Sequence, residues 1–454
     1  MDPLISLHNM HRESIDSFIK MDPQLRRLQR NTYVYSSPLL MKLPTSIPGI
    51  YTLSGGRQIG KTTVLKQWML ILLKQGIDPA AIIFLSGEMI DDHHTLLNLI
   101  QQQSQTMPHD SLHYMVIDEI TYIKDWDKAI KYAADAGLLD NVILILTGSD
   151  IGLLRDARMR FPGRRGRADE VNFHLYPLSF CETLHLKKHT SIVKKIQTGE
   201  SLSDKKMETL FSMFDQYLVH GGYLTAINDL AAESRILPAT LSTYSDWVRG
   251  DMLKRGKQER YLKEILSAIQ KRQGSQITWH SLARDLSIDH HKTVADYVTL
   301  LEDMEAVFIQ SALLEDKLVA APKKAKKIMF ADPFIYHAIR AWLSPSLDTY
   351  GTQIQSSLQD PIFASCLVEA CVATHYRRHY PTYYIKAEGE VDVAYIDANK
   401  FWPIEVKWTR QLHAKDLAQV IKYPRAKILT QMRRLGMIQA IPTEPLPVAL
   451  VNLG

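Results

Sequence analysis

The chain has 454 residues, 46% hydrophobic and 23% charged, with a formal net charge of +5. That length exceeds one ordinary domain and predicts two to four, and the composition is that of a globular protein with real cores. The mild positive charge permits nucleic-acid binding without arguing for it, because strong binders carry a much denser basic face. Cys181, Cys366 and Cys371 have no metal-ligand spacing and read as reduced residues, so a cytoplasmic location is expected. The first residues lack the apolar core of a signal peptide. The longest apolar stretch, Val64 to Leu73, is broken by Lys66 and Gln67 and is too short for a bilayer, so no membrane association is expected.

In chain order, residues 1–46 read as helix followed by an irregular lead-in with prolines at Pro38 and Pro44. Residues 47–180 alternate short apolar runs with helical stretches. The strand candidates are Ile50–Ser54, Ala81–Ser86, Tyr114–Asp118 and Val142–Thr147. Each is nearly all apolar, as strands buried on both faces of a parallel sheet must be. Residues 181–255 read as helical, broken at His220-Gly221-Gly222, and 256–343 as a winged-helix-like domain. From 344 to 454 a helix, Pro361–His379, leads into strands Thr382–Lys386, Val391–Asp397 and Phe401–Val406. The class is α/β: a P-loop parallel-sheet domain, a helical and winged-helix middle, and a C-terminal α/β unit.

The strongest motif is Gly55-Gly56-Arg57-Gln58-Ile59-Gly60-Lys61-Thr62, which fits G-x-x-x-x-G-K-[ST]. It follows one strand candidate and opens a helix, the context that separates a P-loop from a chance match. The glycines let backbone N–H groups turn toward phosphates, and the helix N-terminus adds partial positive charge. ATP with Mg2+ is the expected ligand. Lys61 would reach the β- and γ-phosphates and Thr62 would ligate Mg2+, with Thr63 following in the same turn. The bland alternative is a glycine-rich turn with a buried lysine.

Downstream, the run Tyr114 to Ile117 ends in Asp118-Glu119. Asp118 is placed for the Mg2+ shell and Glu119 for orienting or deprotonating the attacking water. A further strand ends in Thr147-Gly148-Ser149, where a polar side chain such as Ser149 senses a γ-phosphate or simply makes a turn; both readings stand. The added glutamate points to ATP hydrolysis rather than phosphoryl transfer to a small molecule.

Several segments together resemble a family of prokaryotic AAA-like ATPases that carry a C-terminal domain similar to PD-(D/E)XK nucleases. They are Gly56 to Thr63, Ile117 to Ile120, Leu146 to Ser149, Pro177 to Glu182, Gly221-Gly222-Tyr223, Arg249-Gly250-Asp251, Lys327 to Asp332, Gly389 to Asp392 and Ile404 to Lys407. The resemblance implies an AAA-like ATPase followed by a restriction-endonuclease-like fold. The family's Gly-Arg before Pro-Leu-Ser-Phe is ambiguous here. Gly163-Arg164 and Gly166-Arg167 both qualify, in a loop that also holds Arg155, Arg158 and Arg160. Arg167 has the better spacing for a transition-state arginine; the alternative is a solvated or nucleic-acid-touching basic loop.

Ile277 to Phe308 has the rhythm of a winged helix: Ser281–Leu286 as one helix, Ser287-Ile288-Asp289 as the turn, Lys292–Met304 as the second helix, and a wing at Val307–Leu314. His290, His291, Lys292 and Thr293 stand where such a helix enters DNA. Asp296, Glu302 and Asp303 leave the same helix without a basic face and favour packing or protein contact instead. The basic run Lys323 to Lys327 grips phosphates or forms a solvated hairpin.

In the last unit, Asp392 falls on one strand and Glu405 and Lys407 on the next. Period-two alternation puts Glu405 and Lys407 on one face. Two carboxylates on a divalent metal beside a lysine are what metal-assisted phosphodiester hydrolysis needs, with Mg2+ or Mn2+ favoured by oxygen ligands. Glu369 resembles the extra acidic ligand of that superfamily, and Gln419 to Tyr423, on an expected helix, resembles the Gln/Tyr motif of one nuclease branch. The competing reading is a surface hairpin with ordinary charges. Two functions follow: a DNA-associated ATPase with a metal-dependent nuclease-like end, or an ATP-dependent switch whose last domain is an interaction module. A pure transcription factor using the winged helix is a third. An arginine acting between copies would imply an oligomer.

Overall fold

The computed structural model describes residues 7–106, 111–149, 152, 159, 161–288, 290–409 and 417–454. The chain forms two compact units, Met1–Tyr176 and Pro177–Gly454.

Unit 1 begins with helices α1 (Ile15–Met21) and α2 (Pro23–Leu28). Its sheet comprises β1 (Gly49–Ser54), β2 (Ile82–Ser86), β3 (His113–Asp118), β4 (Val142–Gly148) and β5 (Asn172–His174), in the order β2-β3-β4-β1-β5 and wholly parallel. The first four strands lie within a residue of the expected ones. The fifth was not expected. Alternate residues feed two cores. Ile50, Ile83, Met115 and Leu144 pack under α4 (His93–Thr106) and α5 (Trp126–Asp135), with Leu96, Ile100 and Trp126. Tyr51, Phe84, Val116 and Ile145 pack against α3 (Lys61–Lys74), with Leu65, Trp68 and Leu72.

The lead-in is part of this unit. The Asn9 carboxamide donates to Phe84 O and accepts from Phe84 N–H, both at 2.8 Å, so it stands in for a neighbouring strand along the open edge of β2. Lys66, buried within α3, pairs with Asp22 at 3.1 Å and donates to His8 O at 2.7 Å.

Unit 2 opens with α6 (Phe180–Leu186), α7 (Thr190–Gln197), α8 (Asp204–His220), α9 (Leu224–Glu233), α10 (Pro238–Lys254) and α11 (Glu259–Lys271). The expected break after His220 has a steric cause. Gly221 has φ 53°, and a Cβ on Gly222 would lie 2.2 Å from Leu178 O. The segment expected as a winged helix adds α12 (Trp279–Arg284) and α13 (His291–Asp303). Its strands are β6 (Gln276–Ile277), β7 (Val307–Ser311), β8 (Leu313–Leu314), β9 (Val319–Ala320) and β10 (Lys326–Phe330), with a three-stranded sheet ordered β6-β10-β7. The strand segment expected at Val307–Leu314 therefore extends further. It runs to β10 and takes in the basic run, because β10 returns to pair with β7.

The end of the chain has α14 (Pro333–Leu343), α15 (Pro361–Arg377), β11 (Thr382–Lys386), β12 (Glu390–Asp397), β13 (Lys400–Lys407), β14 (Lys427–Thr430), β15 (Gly436–Ile438), β16 (Ile441–Pro445) and α16 (Leu446–Val451). The mixed sheet has the order β11-β12-β13-β14-β16-β15. The helix expected around Gln419–Tyr423 is instead one 3-10 turn, Val420–Lys422.

Candidate nucleotide site and carboxylate centre

In the P-loop, Gly55 has φ +149° and Gly60 φ +100°, and a Cβ on Gly55 would lie 2.4 Å from Leu175 O. Any other residue at Gly55 would push the loop off its strand. Gln58 also has positive φ, at 61°. Lys61 is buried and folds back, donating to Gly55 O and Gly56 O at 3.0 Å each, with Glu119 Oε1 at 3.7 Å. Arg57 bonds the Tyr122 hydroxyl.

The β1, β3 and β4 ends converge here. Thr62 Oγ1 donates to Asp118 Oδ2 at 2.6 Å, and Thr147 Oγ1 donates to Asp118 Oδ1 at 2.6 Å. The Glu119 N–H donates to Thr147 Oγ1 at 2.9 Å, and Ser149 Oγ donates to Glu119 Oε2 at 3.4 Å. Glu119 sits in the left-handed region, φ 52° and ψ 46°. Gly87 admits that turn, since a Cβ there would lie 2.4 Å from Glu119 O. Thr147 is wholly buried, so it can position Asp118 but cannot touch a ligand. Thr62 and Asp118 present adjacent oxygen donors, the chemistry Mg2+ requires.

Of the sequence candidates in this unit, the fold brings together the Gly55–Thr62 loop, Asp118, Glu119 and Ser149, but not Arg167. Arg155, Arg158 and Arg160 lie outside the described residues. Arg164 pairs with Asp135 at 2.5 Å, and Arg165 donates to Val171 O at 2.8 Å. Arg167 is exposed, next to Gly166, whose Cβ would lie 2.3 Å from Pro48 O. That is the start of β1, whereas the P-loop follows its end about 17 Å away at ~3.3 Å per residue. Within one chain, Arg167 cannot reach the P-loop.

In unit 2 the register places Val393 opposite Ile404, hence Asp392 opposite Glu405 and Glu390 opposite Lys407. Glu390, Asp392, Glu405 and Lys407 therefore share one face of β12 and β13, in two cross-strand pairs. Asp392 Oδ2 accepts from Val406 N–H at 2.8 Å, and Lys407 Nζ lies 2.6 Å from Glu405 Oε1. Glu369 reaches the group from α15. Carboxylate oxygens of Glu369, Glu390 and Asp392 all lie within 4.8 Å of one another.

Two members were missed in the sequence. Glu390 shows there only as the first half of an E-x-D alternation. Lys327 was read as part of a solvated or phosphate-gripping run, yet its side chain is wholly buried. Its Nζ lies 2.7 Å from Glu369 Oε1 and 3.8 Å from Asp392 Oδ1, and it also pairs with Glu390. Burial pulls the Lys327 ammonium down, but Glu369, Asp392 and Glu390 outweigh it and hold its pKa above the usual range. Burial, aided by the Asp392 charge, pushes Glu369 up to about 7 and Glu405 up to about 8. Glu405 Oε2 is buried and has no hydrogen-bond partner among the described residues. An orphaned carboxylate oxygen beside three other carboxylates fits a hard divalent cation. Gln419 does not join the centre; its Oε1 accepts from Gly389 N–H at 3.1 Å.

Among the described residues, no helix is long and apolar enough to cross a membrane. Residues 48–184 match a family model described as an AAA domain, and residues 212–346 one described as a domain of unknown function, DUF8612. The second match stops before the carboxylate sheet. An uncharacterized protein of Haemophilus influenzae is 26% identical over 267 residues, 56% of this chain, and the match spans 60% of that relative's length. Among solved structures, the chain is similar to a Walker-type ATPase of Pyrococcus abyssi at 14% identity and a TM-score of 0.42, covering 75% of this chain and 96% of that one. It is similar to the Aeropyrum pernix ORC1 protein, solved in complex with DNA, at 12% identity and a TM-score of 0.32, covering 70% and 91%. The glycine loop, its lysine and the Asp118–Glu119 strand end lie inside the first family match, so residues 48–184 are an AAA-type P-loop ATPase domain.

Proposed function

We propose that this ATPase is DNA-associated and that unit 2 carries a divalent-cation centre of the phosphodiesterase kind. In unit 1, Lys61 engages the β- and γ-phosphates, Thr62 and Asp118 hold Mg2+, Glu119 orients the attacking water and Ser149 reports on the γ-phosphate through Glu119. Arg167, exposed beside the start of β1, acts on the phosphates of a neighbouring copy. In unit 2, Glu369, Glu390, Asp392 and Glu405 are the oxygen donors, and Lys407 offsets charge on a phosphodiester.

The observation that carries the unit 2 reading is the unpartnered, buried Oε2 of Glu405 in that group. Four acidic groups face two lysines, Lys327 and Lys407, and a divalent cation would favour the ionised form of the carboxyls that burial has raised. DNA is the partner this chemistry needs. The exposed His290, Lys292, Lys323 and Lys324 of the winged-helix-like part are the residues to meet its phosphates.

The test is incubation with linear, nicked, single-stranded and branched DNA plus Mg2+ or Mn2+. Cleavage of at least one form, lost in Asp392→Ala, is expected. No cleavage, or equal cleavage by that variant, removes the nuclease half. One observation favours the second reading, an ATP-driven switch with a non-catalytic end: Lys327 already sits among the carboxylates. On that reading, Glu119→Gln traps the ATP-bound form and changes partner binding without any metal-dependent cutting.

A further inference from the structure

The winged-helix sheet presents one continuous row to the carboxylate centre. Lys327 on β10 is the register partner of Gln276 on β6 and of Gln310 on β7. All three side chains reach the centre. Gln276 Nε2 donates to Glu390 Oε2. Gln310 Nε2 donates to Asp392 O at 3.1 Å and to Tyr383 O at 2.9 Å. Lys327 Nζ sits among Glu369, Glu390 and Asp392, 5.5 Å from the centre of the Tyr384 ring. Each strand of the small sheet thus contributes one side chain.

We propose that Lys327 is a tethered cation that competes with the divalent ion for Glu369, Glu390 and Asp392, and that the Gln276–Lys327–Gln310 row is the plug holding it there. This rests on the divalent-centre reading above. The argument is electrostatic and steric. The oxygens that Lys327 engages are those that define the candidate metal position. An ammonium at hydrogen-bond distance from them and a divalent ion bound to them would be adjacent like charges in a buried site, so one must leave. Lys327 compensates only part of the negative charge, and Glu405 Oε2 stays unpartnered while it is in place. The plugged centre is therefore ready for a cation of higher charge. Because the row belongs to the winged-helix-like sheet, a partner that shifts that sheet loads the metal.

The experiment is Mn2+ binding to the full chain without nucleotide, read by electron paramagnetic resonance and calorimetry. The component lost in Asp392→Asn is assigned to this centre. Lys327→Met is expected to tighten that component roughly tenfold or more, and Lys327→Arg, which keeps the charge, to leave it weak. In thermal unfolding, Mn2+ should raise the melting temperature of Lys327→Met more than that of the wild type. If Lys327→Met fails to fold even with Mn2+, Gln276→Leu loosens the row with the lysine kept. It should tighten Mn2+ several-fold; unchanged binding overturns the proposal. Tight Asp392-dependent Mn2+ binding by the wild type that weakens in Lys327→Met also overturns it, while leaving the metal centre standing. Absence of Asp392-dependent binding in every variant overturns both.

Discussion

Thr147 donates its hydroxyl to Asp118 Oδ1 at 2.6 Å, leaving Asp118 Oδ2 to Thr62. The same Thr147 oxygen accepts the Glu119 N–H. One buried hydroxyl on β4 therefore sets both the carboxylate that faces Thr62 and the left-handed turn that presents Glu119.

Replacing Thr147 by Val keeps the shape and removes both bonds. Lost hydrogen bonds to a charged, buried partner cost about 2 kcal/mol, so roughly a thirtyfold fall in kcat for ATP is expected. Nucleotide affinity should change much less, since Lys61 and the loop amides are untouched. Thr147→Ser should restore most of the rate. Comparison of kcat with nucleotide Kd checks this; equal losses in both would assign Thr147 to the binding loop instead.

The Lys66–Asp22 pair, with both side chains buried, links α3 to the helical lead-in. Burial lowers the Lys66 pKa and the Asp22 charge opposes that shift. Lys66→Met strands the Asp22 carboxylate, and breaking a buried pair from one side costs about 3 kcal/mol or more. Urea unfolding of the full chain should show an earlier transition for unit 1. Lys66→Met combined with Asp22→Asn should recover part of that loss.

Three buried histidines of unit 2 contribute stability that is lost below neutral pH. His375 Nε2 accepts from Phe180 N–H at 3.1 Å while Nδ1 meets Cys371 O at 2.7 Å, so the neutral ring is fully used. Burial holds His375 and His220 down at about 3 and His337 at about 4, against an ordinary 6.5. The unfolded chain then takes up protons first as pH falls. The stabilisation is complete above 6.5 and declines below it, by about 1.4 kcal/mol per proton per pH unit. Asp332, Glu369 and Glu405, raised by burial to about 6, 7 and 8, work the other way and offset much of this in the wild type. The histidine contribution is therefore read by difference: His375→Gln should remove about one proton from the uptake on unfolding near pH 5, so its urea midpoint should rise relative to that of the wild type between pH 7 and 5. An identical pH dependence of the two midpoints would contradict this.

What the sequence made legible follows from how each element is buried. The β1 to β4 runs were found to within a residue because burial on both faces leaves nearly unbroken apolar runs. β5 escaped because it has three residues and only Phe173 among them is buried. Lys61, Thr62, Asp118 and Glu119 were legible because a loop, a helix start and a strand end fix their order. Lys327 was not. Its neighbours Lys323 and Lys324 are exposed, and its burial depends on β6, about fifty residues earlier, and on α15, about forty later. No local pattern carries such contacts. Gln419 was misplaced for a related reason: its role is to receive a turn amide at Gly389, a contact 30 residues away.

Steady-state ATP hydrolysis by the full chain, measured alone and with linear duplex, single-stranded and branched DNA, tests the central claim most directly. The account predicts Mg2+-dependent turnover that rises with at least one form of DNA and vanishes in Lys61→Ala. Turnover that is indifferent to every DNA, or that survives Lys61→Ala unchanged, would contradict it.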